Sequence, residues 1–230
     1  MLTLHQFAAS PFCDKIRRVL HYKGLEFAIH EWPLAEVASI KDKNPAGKLP
    51  ILEINGTWIP DSTDIALELE RHYPTPPLIP TDPVQRAQVL VLEDWADESL
   101  YFYEMSTRFA GDDFDANVGK LLPGVPQETR DVMATMVREA LQTTTTAQGT
   151  GRKSSRQLAD DIERLLGAVE DLQRRTGFVV GSSLSLADIA IAVQAECVGD
   201  STVGQRLLRG RPALADYFKR IDALTAADRA

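Results

Sequence analysis

The chain lacks the features that membrane-spanning, secreted and nucleic-acid-binding proteins need. It has no apolar run near the roughly 18 residues that cross a bilayer, and its first residues have neither the basic region nor the cleavage site of a signal peptide. A net charge of −8 argues against a surface for nucleic acid or for an anionic membrane. Only two cysteines are present, Cys13 and Cys197, and they lie far apart, so no disulfide framework is expected. We therefore expect a cytoplasmic protein that binds neither nucleic acid nor membrane.

Potential metal ligands are also sparse and badly spaced. The four histidines show no metal-ligand spacing, and none pairs with a cysteine at such a spacing. The acidic residues Glu93, Asp94, Asp97 and Glu98 are interpreted as a solvated helix face, with Asp97 left as a candidate for a cleft-facing position. No metal is predicted.

The stretch Ser10-Pro11-Phe12-Cys13 carries the first chemical signal. It follows the short apolar run 2–7 and opens an amphipathic segment that ends at Gly24. Pro11 suits the first helical position, which makes Ser10 the N-cap of a helix. Unpaired N–H groups and the positive end of the helix dipole converge there and favour an anion, a thiolate above all. Taken alone, Ser10 is better explained as a simple helix cap, as most Ser-Pro pairs at helix starts are.

A second signal lies between residues 44 and 72. In Asn44-Pro45-Ala46-Gly47-Lys48-Leu49-Pro50 a proline stands where a strand begins, a position that a cis Leu49-Pro50 bond can accommodate. Residues 51–60 predict a hairpin closed by Asn55-Gly56 in a type I′ turn. Asp61-Ser62 then caps a helix over residues 63–72.

The rest of the chain indicates helices. Residues 73–80 contain four prolines and predict a stiff linker. Asp82 is expected to cap a long helix that reaches Leu100, and helices are also expected over residues 128–141 and 158–172. Residues 111–126 are expected to be a loop and 143–155 a break. Ser185 and Asp188 resemble a capping box in front of a buried helix that includes Cys197.

These motifs, in this order, resemble the glutathione S-transferase superfamily, in a form with serine at the first position of the glutaredoxin-like tetrapeptide. The matching residues are Ser10-Pro11-Phe12-Cys13, the segment 44–50, Asp61-Ser62 and Ser185-Leu186-Ala187-Asp188-Ile189. The resemblance implies an α/β thioredoxin-like domain (βαβαββα) over residues 1–73, a linker over 74–82 and an all-helical bundle over 83–230. It also implies glutathione as co-substrate and a homodimer.

The same resemblance implies roles for individual residues. Leu49, beside Pro50, would pair with the cysteinyl backbone of glutathione, and Asp61 would hold the γ-glutamyl ammonium group. Ser62 would bind the γ-glutamyl carboxylate, a role that its place at a helix N-terminus also favours. Lys48 is either a ligand of the glycyl carboxylate or a solvated loop lysine. Phe12 completes the expected glutathione site.

The resemblance does not decide which residue carries the reaction or whether a reaction takes place. Ser10 cannot exchange thiols and disulfides, so we expect it to donate a hydrogen bond to the glutathione thiolate, which then attacks a hydrophobic electrophile. Cys13 is either a lone redox nucleophile, helped by the helix dipole, or a small packing residue beneath the site. Tyr101, Met105 and Phe109 are candidates for the electrophile pocket or for the core between domains. A non-catalytic scaffold with the same fold is the third hypothesis.

Overall fold

The computed structural model describes residues 1–226, apart from the side chains of Leu34, Ala35, Val37 and Ala38. Its first part is a four-stranded sheet of order β2-β1-β3-β4, in which β1 pairs in parallel with β2 and antiparallel with β3. An α-helix joins β1 to β2, a 3₁₀ segment joins β2 to β3, and a second α-helix follows β4. The elements are β1 Leu2–Gln6, α1 Pro11–Tyr22, β2 Ala28–Glu31, the 3₁₀ segment Leu34–Asp42, β3 Ile51–Ile54, β4 Thr57–Pro60 and α2 Ser62–His72.

Local turn chemistry accounts for this part of the chain. The β3–β4 hairpin turns through Asn55 and Gly56, both at positive φ (51° and 88°), as a type I′ turn requires. Ser10 caps α1 and Asp61 caps α2, each through its side-chain oxygen. The Leu49-Pro50 bond is cis. The predicted thioredoxin-like arrangement is confirmed, with a 3₁₀ segment in place of its second helix.

The remainder of the described chain is helical, as predicted. A π-helical turn, Ala96–Leu100, interrupts the expected long helix and divides it into α3 and α4. The helical elements are α3 Pro83–Trp95, α4 Tyr101–Arg108, α5 Asp113–Leu121, α6 Gln127–Gln148, a 3₁₀ turn Thr150–Arg152, α7 Ser155–Gln173, α8 Leu186–Gly199, α9 Thr202–Arg209 and α10 Pro212–Thr225. Among the described residues, none of these helices combines the length and apolarity needed to cross a membrane.

Helix α8 lies at the centre of the hydrophobic core. Every residue from Leu186 to Ala195 is buried, and α1, α3 and α4 all pack against it. A helix that is apolar on all sides must be surrounded by other elements. One continuous cluster therefore includes Leu4 and Ile16 of the first part together with Ile189 and Tyr217 of the helical part.

Two predictions about the helical part were wrong. Residues 111–126 contain helix α5, whose Phe114 and Val118 form a small second core with Leu122. Their i, i+4, i+8 spacing was the available signal, and the surrounding glycines, prolines and aspartates obscured it. The predicted break begins only after Gln148, because the four threonines at 143–146 still belong to α6, where the Thr145 hydroxyl donates to the Leu141 carbonyl. The helix ends at Gly149, whose φ is 121°.

The Ser185–Asp188 pair generates the first prediction. Asp188 is fully buried and accepts hydrogen bonds from the Val179 and Ser185 N–H groups and from the Ser185 and Tyr217 hydroxyls. Asp188→Ala leaves these donors unpaired in the core, and we expect it to lower the free energy of unfolding by about 3 kcal/mol or more. Urea denaturation measures the change. Asp160→Ala, at a 70% exposed side chain, should cost under about 0.5 kcal/mol; equal losses would contradict the assigned role.

Candidate functional site

A cleft of about 470 Å³ lies where the sheet part meets α3 and α4. Four segments line it: the β1–α1 loop with the start of α1, the loop before β3, the start of α2, and the π turn with its flanking residues. Of the predicted glutathione and catalytic residues, seven line this cleft: Ser10, Phe12, Lys48, Leu49, Pro50, Asp61 and Ser62. Residues up to 52 positions apart in sequence therefore meet in one place.

Ser10 presents a hydroxyl at the N-terminus of α1. Its Oγ accepts the Cys13 N–H at 3.4 Å, as an N-cap does. A hydroxyl that accepts in this way still has its own O–H to donate. Ser10 is half-buried and lines the cleft, so this donor is available to a bound anion at the positive end of the helix.

The loop before β3 is held by Asn44. The buried Asn44 side chain donates to the Lys48 carbonyl and accepts the Ala46 N–H, at 2.9 and 3.0 Å. These bonds fix the turn that delivers Leu49 and the cis Pro50 to the cleft wall. Lys48 lies on the same wall with an exposed side chain.

The start of α2 places opposite electrostatic features side by side. Asp61 is exposed, has a φ of 73°, and accepts the N–H groups of Thr63 and Asp64 through one carboxylate oxygen. Ser62 is only 5% exposed and faces the cleft at the first helical position. Helix N-termini attract carboxylates, and the Asp61 carboxylate attracts cations. This pair suits an α-amino acid end, which carries both charges.

A buried ion cluster stands behind the cleft and was not foreseen. The Lys15 ammonium, fully buried in α1, donates to Glu93 Oε1 at 2.6 Å and to Asp97 Oδ2. Thr63 donates to the same Glu93 oxygen at 2.8 Å. Asp97 Oδ1 is buried, has no hydrogen-bond partner among the described residues, and belongs to a side chain that lines the cleft.

The charges of this cluster do not balance. One ammonium group faces two carboxylates, so one negative charge is uncompensated when both acids are ionised. Burial raises the pKa of Asp97 to about 6, although the Lys15 ammonium opposes that shift. A cation in the cleft beside Asp97 would compensate the charge. The i, i+4 spacing of Glu93 and Asp97 was visible in the sequence, but their approach to Lys15 was not.

Aromatic residues form the other side of the cleft, where only part of the expected electrophile pocket is present. The rings of Phe12 and Tyr101 pack edge to face, with centroids 4.8 Å apart, and burial raises the pKa of the Tyr101 phenol. Met105 is 4% exposed and Phe109 packs against Phe114 of the second core. Neither Met105 nor Phe109, one and two turns after Tyr101, lines the cleft.

A second cleft, of about 720 Å³, adjoins Ser10 on its opposite side. Charged side chains of both signs line it, and most are paired with each other. Arg18 binds Asp14 and Glu196, and Arg108 lies 3.5 Å from Asp200. Ser10 therefore stands between a cleft that suits a zwitterion and a broader charged one.

Cys13 lies beneath the site with its side chain out of contact with solvent. It is 0% exposed, and its Sγ accepts the Phe7 N–H at 3.4 Å. Burial raises the pKa of the Cys13 thiol to about 11, and hydrogen bonding with Phe7 and Ser10 only reduces that shift. This environment favours the packing interpretation of Cys13 over the redox one.

Two family models match the sequence. Residues 4–77 match the glutathione S-transferase N-terminal domain and residues 137–220 the C-terminal domain of the same enzymes. Together they cover most of the chain. Among the described residues, no group of three or more His, Cys, Asp or Glu side chains could hold a metal ion.

Individual relatives are more distant. The chain is 31% identical over 88 residues to glutathione S-transferase DHAR3, chloroplastic, of Arabidopsis thaliana (38% of this chain, 33% of that protein). It is 27% identical over 133 residues to glutathione S-transferase U7 of the same plant (57% and 56%). It thus spans about a third to just over half of these curated relatives. A glutathione S-transferase structure from Rhodospirillum rubrum F11 superposes with a TM-score of 0.68 at 21% identity, over 97% of this chain and 88% of the other.

The surroundings of Cys13 generate the second prediction. With a pKa near 11, very little of the thiol is ionised at pH 8, and the thiolate is the reactive form. We expect Cys13 in the folded protein to react with a disulfide reagent at pH 8 at least about 100-fold more slowly than in the unfolded chain. Mass spectrometry identifies the modified cysteine, and the denatured protein is the control. Rapid modification in the folded state would favour the redox hypothesis.

Proposed function

The chain belongs to the glutathione S-transferase superfamily, and from that premise we propose that it is a glutathione transferase in which Ser10 activates the thiolate. The observation that carries the proposal is the meeting of Ser10, Leu49, Asp61 and Ser62 in one cleft. The proposed reaction is attack of the glutathione sulfur on an electrophilic carbon of a second substrate, with a leaving group displaced or a bond polarised.

Glutathione would lie along the cleft with its γ-glutamyl end at α2. The Ser62 hydroxyl would donate to the γ-glutamyl carboxylate at the helix N-terminus. The γ-glutamyl ammonium group would lie near Asp61 and the unpartnered Asp97 Oδ1. This ammonium group would supply the positive charge that the buried cluster lacks. Leu49 would pair with the cysteinyl backbone, with Pro50 beneath it. Lys48 is the cation available to the glycyl carboxylate.

The thiol would then reach Ser10. The Ser10 oxygen accepts the Cys13 N–H with a lone pair, so the Ser10 O–H can still donate to another group. A hydrogen bond to the ionised sulfur, together with the dipole of α1, stabilises the thiolate relative to the thiol and lowers the thiol pKa. Ser10 acts here as an electrostatic stabiliser that contacts the reacting atom.

The second substrate would approach Ser10 beside Phe12 and Tyr101. These rings supply apolar surface for a hydrophobic electrophile, and the charged cleft beyond Ser10 is open to its polar substituents. Met105 and Phe109 are left out of this proposal because they line neither cleft.

We also propose that the protein is a cytoplasmic homodimer. Val84 and Val91, seven residues apart on one side of α3, are 66% and 68% exposed. Leu67 on α2 is exposed as well. Exposed apolar residues on these two helices are suited to contact with a second copy of the chain.

Binding and activation can be tested with two variants. We expect Ser62→Ala to weaken glutathione binding about tenfold in calorimetry, because a charge-assisted hydrogen bond is lost. Ser10→Ala should bind with nearly unchanged affinity but raise the thiol pKa of bound glutathione by about one unit or more, read from thiolate absorption. Wild-type protein that is folded yet binds no glutathione would overturn the proposal and favour a scaffold.

Asp97 gives a prediction about pH. Above pH 6 Asp97 is ionised and attracts the ligand ammonium; below it the carboxyl is protonated and the attraction is lost. Affinity for S-methylglutathione, which has no titrating thiol, should therefore fall as the pH drops from 7 to 5. Asp97→Asn should weaken this binding about tenfold and abolish the pH dependence.

Two comparisons make the Asp97 test specific. Asp94→Asn removes an exposed acid of the same cleft and should have little effect. Glutaryl-cysteinylglycine, which lacks the amino group, should bind wild type and Asp97→Asn equally. A loss of affinity for this ligand in the variant would assign Asp97 a structural role instead.

A further inference from the structure

We propose that Glu31 is a positioning residue whose carboxylate holds the β1–α1 loop so that the Ser10 hydroxyl meets the glutathione sulfur. The inference rests on the proposed function. Glu31 is the last residue of β2, on an exposed edge strand, and does not line the glutathione cleft. It acts on Ser10 through the backbone in between.

Both oxygens of the Glu31 carboxylate bind the neighbouring strand end. Oε1 accepts the Ala8 N–H at 2.6 Å and Oε2 accepts the Gln6 side-chain amide at 2.9 Å. Gln6 is the register partner of Glu31 in the parallel β1–β2 pair, which places the carboxylate over the point where β1 ends. The backbone bonding between the strands continues one residue further, with the Trp32 N–H donating to the Gln6 carbonyl.

Arg17 holds the same loop from the other side. Its guanidinium donates to the Ala8 carbonyl at 3.2 Å and to Gln6 Oε1 at 2.7 Å, while Asp14 fixes its orientation. The N–H and the C=O of Ala8 are thus both bound by charged side chains, through hydrogen bonds stronger than neutral ones. Asp14 and Arg17 also belong to α1, so the loop is tied to the helix that Ser10 caps.

The loop depends on these polar contacts because it has little to pack. Ala8 and Ala9 have the smallest side chains, and Ala8 is exposed. Two local hydrogen bonds also hold the loop, from the Ser10 N–H to the Phe7 carbonyl and from the Phe7 N–H to Cys13 Sγ. A donor must lie within a few tenths of an ångström of its acceptor to be effective. If Ala8 is no longer held, the hydroxyl of Ser10, two residues later in the chain, therefore moves as well.

Charge and position predict opposite effects, which makes the proposal testable. If Glu31 acted only through its negative charge, its removal would favour the thiolate and lower the thiol pKa of bound glutathione. If it positions Ser10, its removal would raise that pKa. Glu31→Gln separates the two, because the amide oxygen can still accept the Ala8 N–H although the charge is gone.

The experiment compares wild type with Glu31→Ala, Glu31→Gln and Glu26→Ala. Glu26 is an exposed acid just before β2, and its removal makes the same charge change without touching the loop. The thiol pKa of bound glutathione is followed by thiolate absorption, and kcat and KM with a model electrophile complete the set. We expect Glu31→Ala to raise the thiol pKa by about one unit and to lower kcat about tenfold at pH 6.5, with KM for glutathione within about twofold. Glu31→Gln should have a thiol pKa and a kcat close to those of wild type, and Glu26→Ala should match wild type in both.

The outcomes separate this proposal from the one it rests on. A lowered or unchanged thiol pKa in Glu31→Ala, with wild type that ionises glutathione, overturns the role of Glu31 and leaves the transferase intact. Equal rises of the thiol pKa in Glu31→Ala and Glu31→Gln would show that an acceptor for the Ala8 N–H does not restore the position of Ser10, and would also overturn the role of Glu31. Failure of wild type to bind or ionise glutathione overturns the proposed function itself. Circular dichroism and thermal unfolding of each variant exclude a general loss of structure.

Discussion

The site depends on the burial of one positive charge, the Lys15 ammonium. A buried ammonium is tolerated only when it is paired and hydrogen-bonded. Both of its partners, Glu93 and Asp97, come from the helical part of the chain, about 80 residues away in sequence. The pairing therefore sets how α1 lies against α3. Because α1 carries Ser10 and α2 carries Ser62, the same pairing defines the cleft between them.

The cluster of Lys15, Glu93 and Asp97 both links helices and contributes a polar atom to the cleft. Glu93 has a second donor, Thr63, from the start of α2, so three helices converge on two carboxylates. Asp97 satisfies Lys15 with one oxygen and has the other free beside the cleft. A buried carboxylate with a purely structural role would be more stable with hydrogen bonds to both of its oxygens. The π turn that contains Asp97 fits this division, because such turns occur frequently at functional sites.

Two different kinds of support hold the reactive end of the cleft. The core supports α1 through Ile16 and Leu20, and Arg18 of α1 also pairs with Glu196 of α8. The loop in front of α1 is supported instead by charged side chains at its margin, Glu31 and Arg17, and by the sulfur of Cys13 below it. Cys13 lies beneath this loop, and the burial that surrounds its Sγ, which accepts the Phe7 N–H, disfavours the thiolate.

Local chemistry, legible in the sequence by itself, determined the caps at Ser10, Asp61 and Asp82, the Asn55-Gly56 turn, the cis Pro50 and the order of strands and helices. Each of these arises from hydrogen bonds and dihedral angles within a few residues, so short patterns reveal them. The same patterns supported the family and the seven residues that line the cleft. The sequence did not predict helix α5, because the glycines, prolines and aspartates of this segment are a stronger local signal than three apolar residues at helical spacing.

Only the tertiary structure decided which side chains share the cleft. Asp97 and Glu98 are neighbours in the sequence, yet one is buried against Lys15 and the other is exposed. Tyr101 packs against Phe12, whereas Phe109, two turns on, packs against Phe114 of the second core. Those choices depend on which face of a helix packs against elements distant in sequence. Burial and its effect on the pKa values of Cys13 and Asp97 follow from the same packing, and no local pattern encodes them.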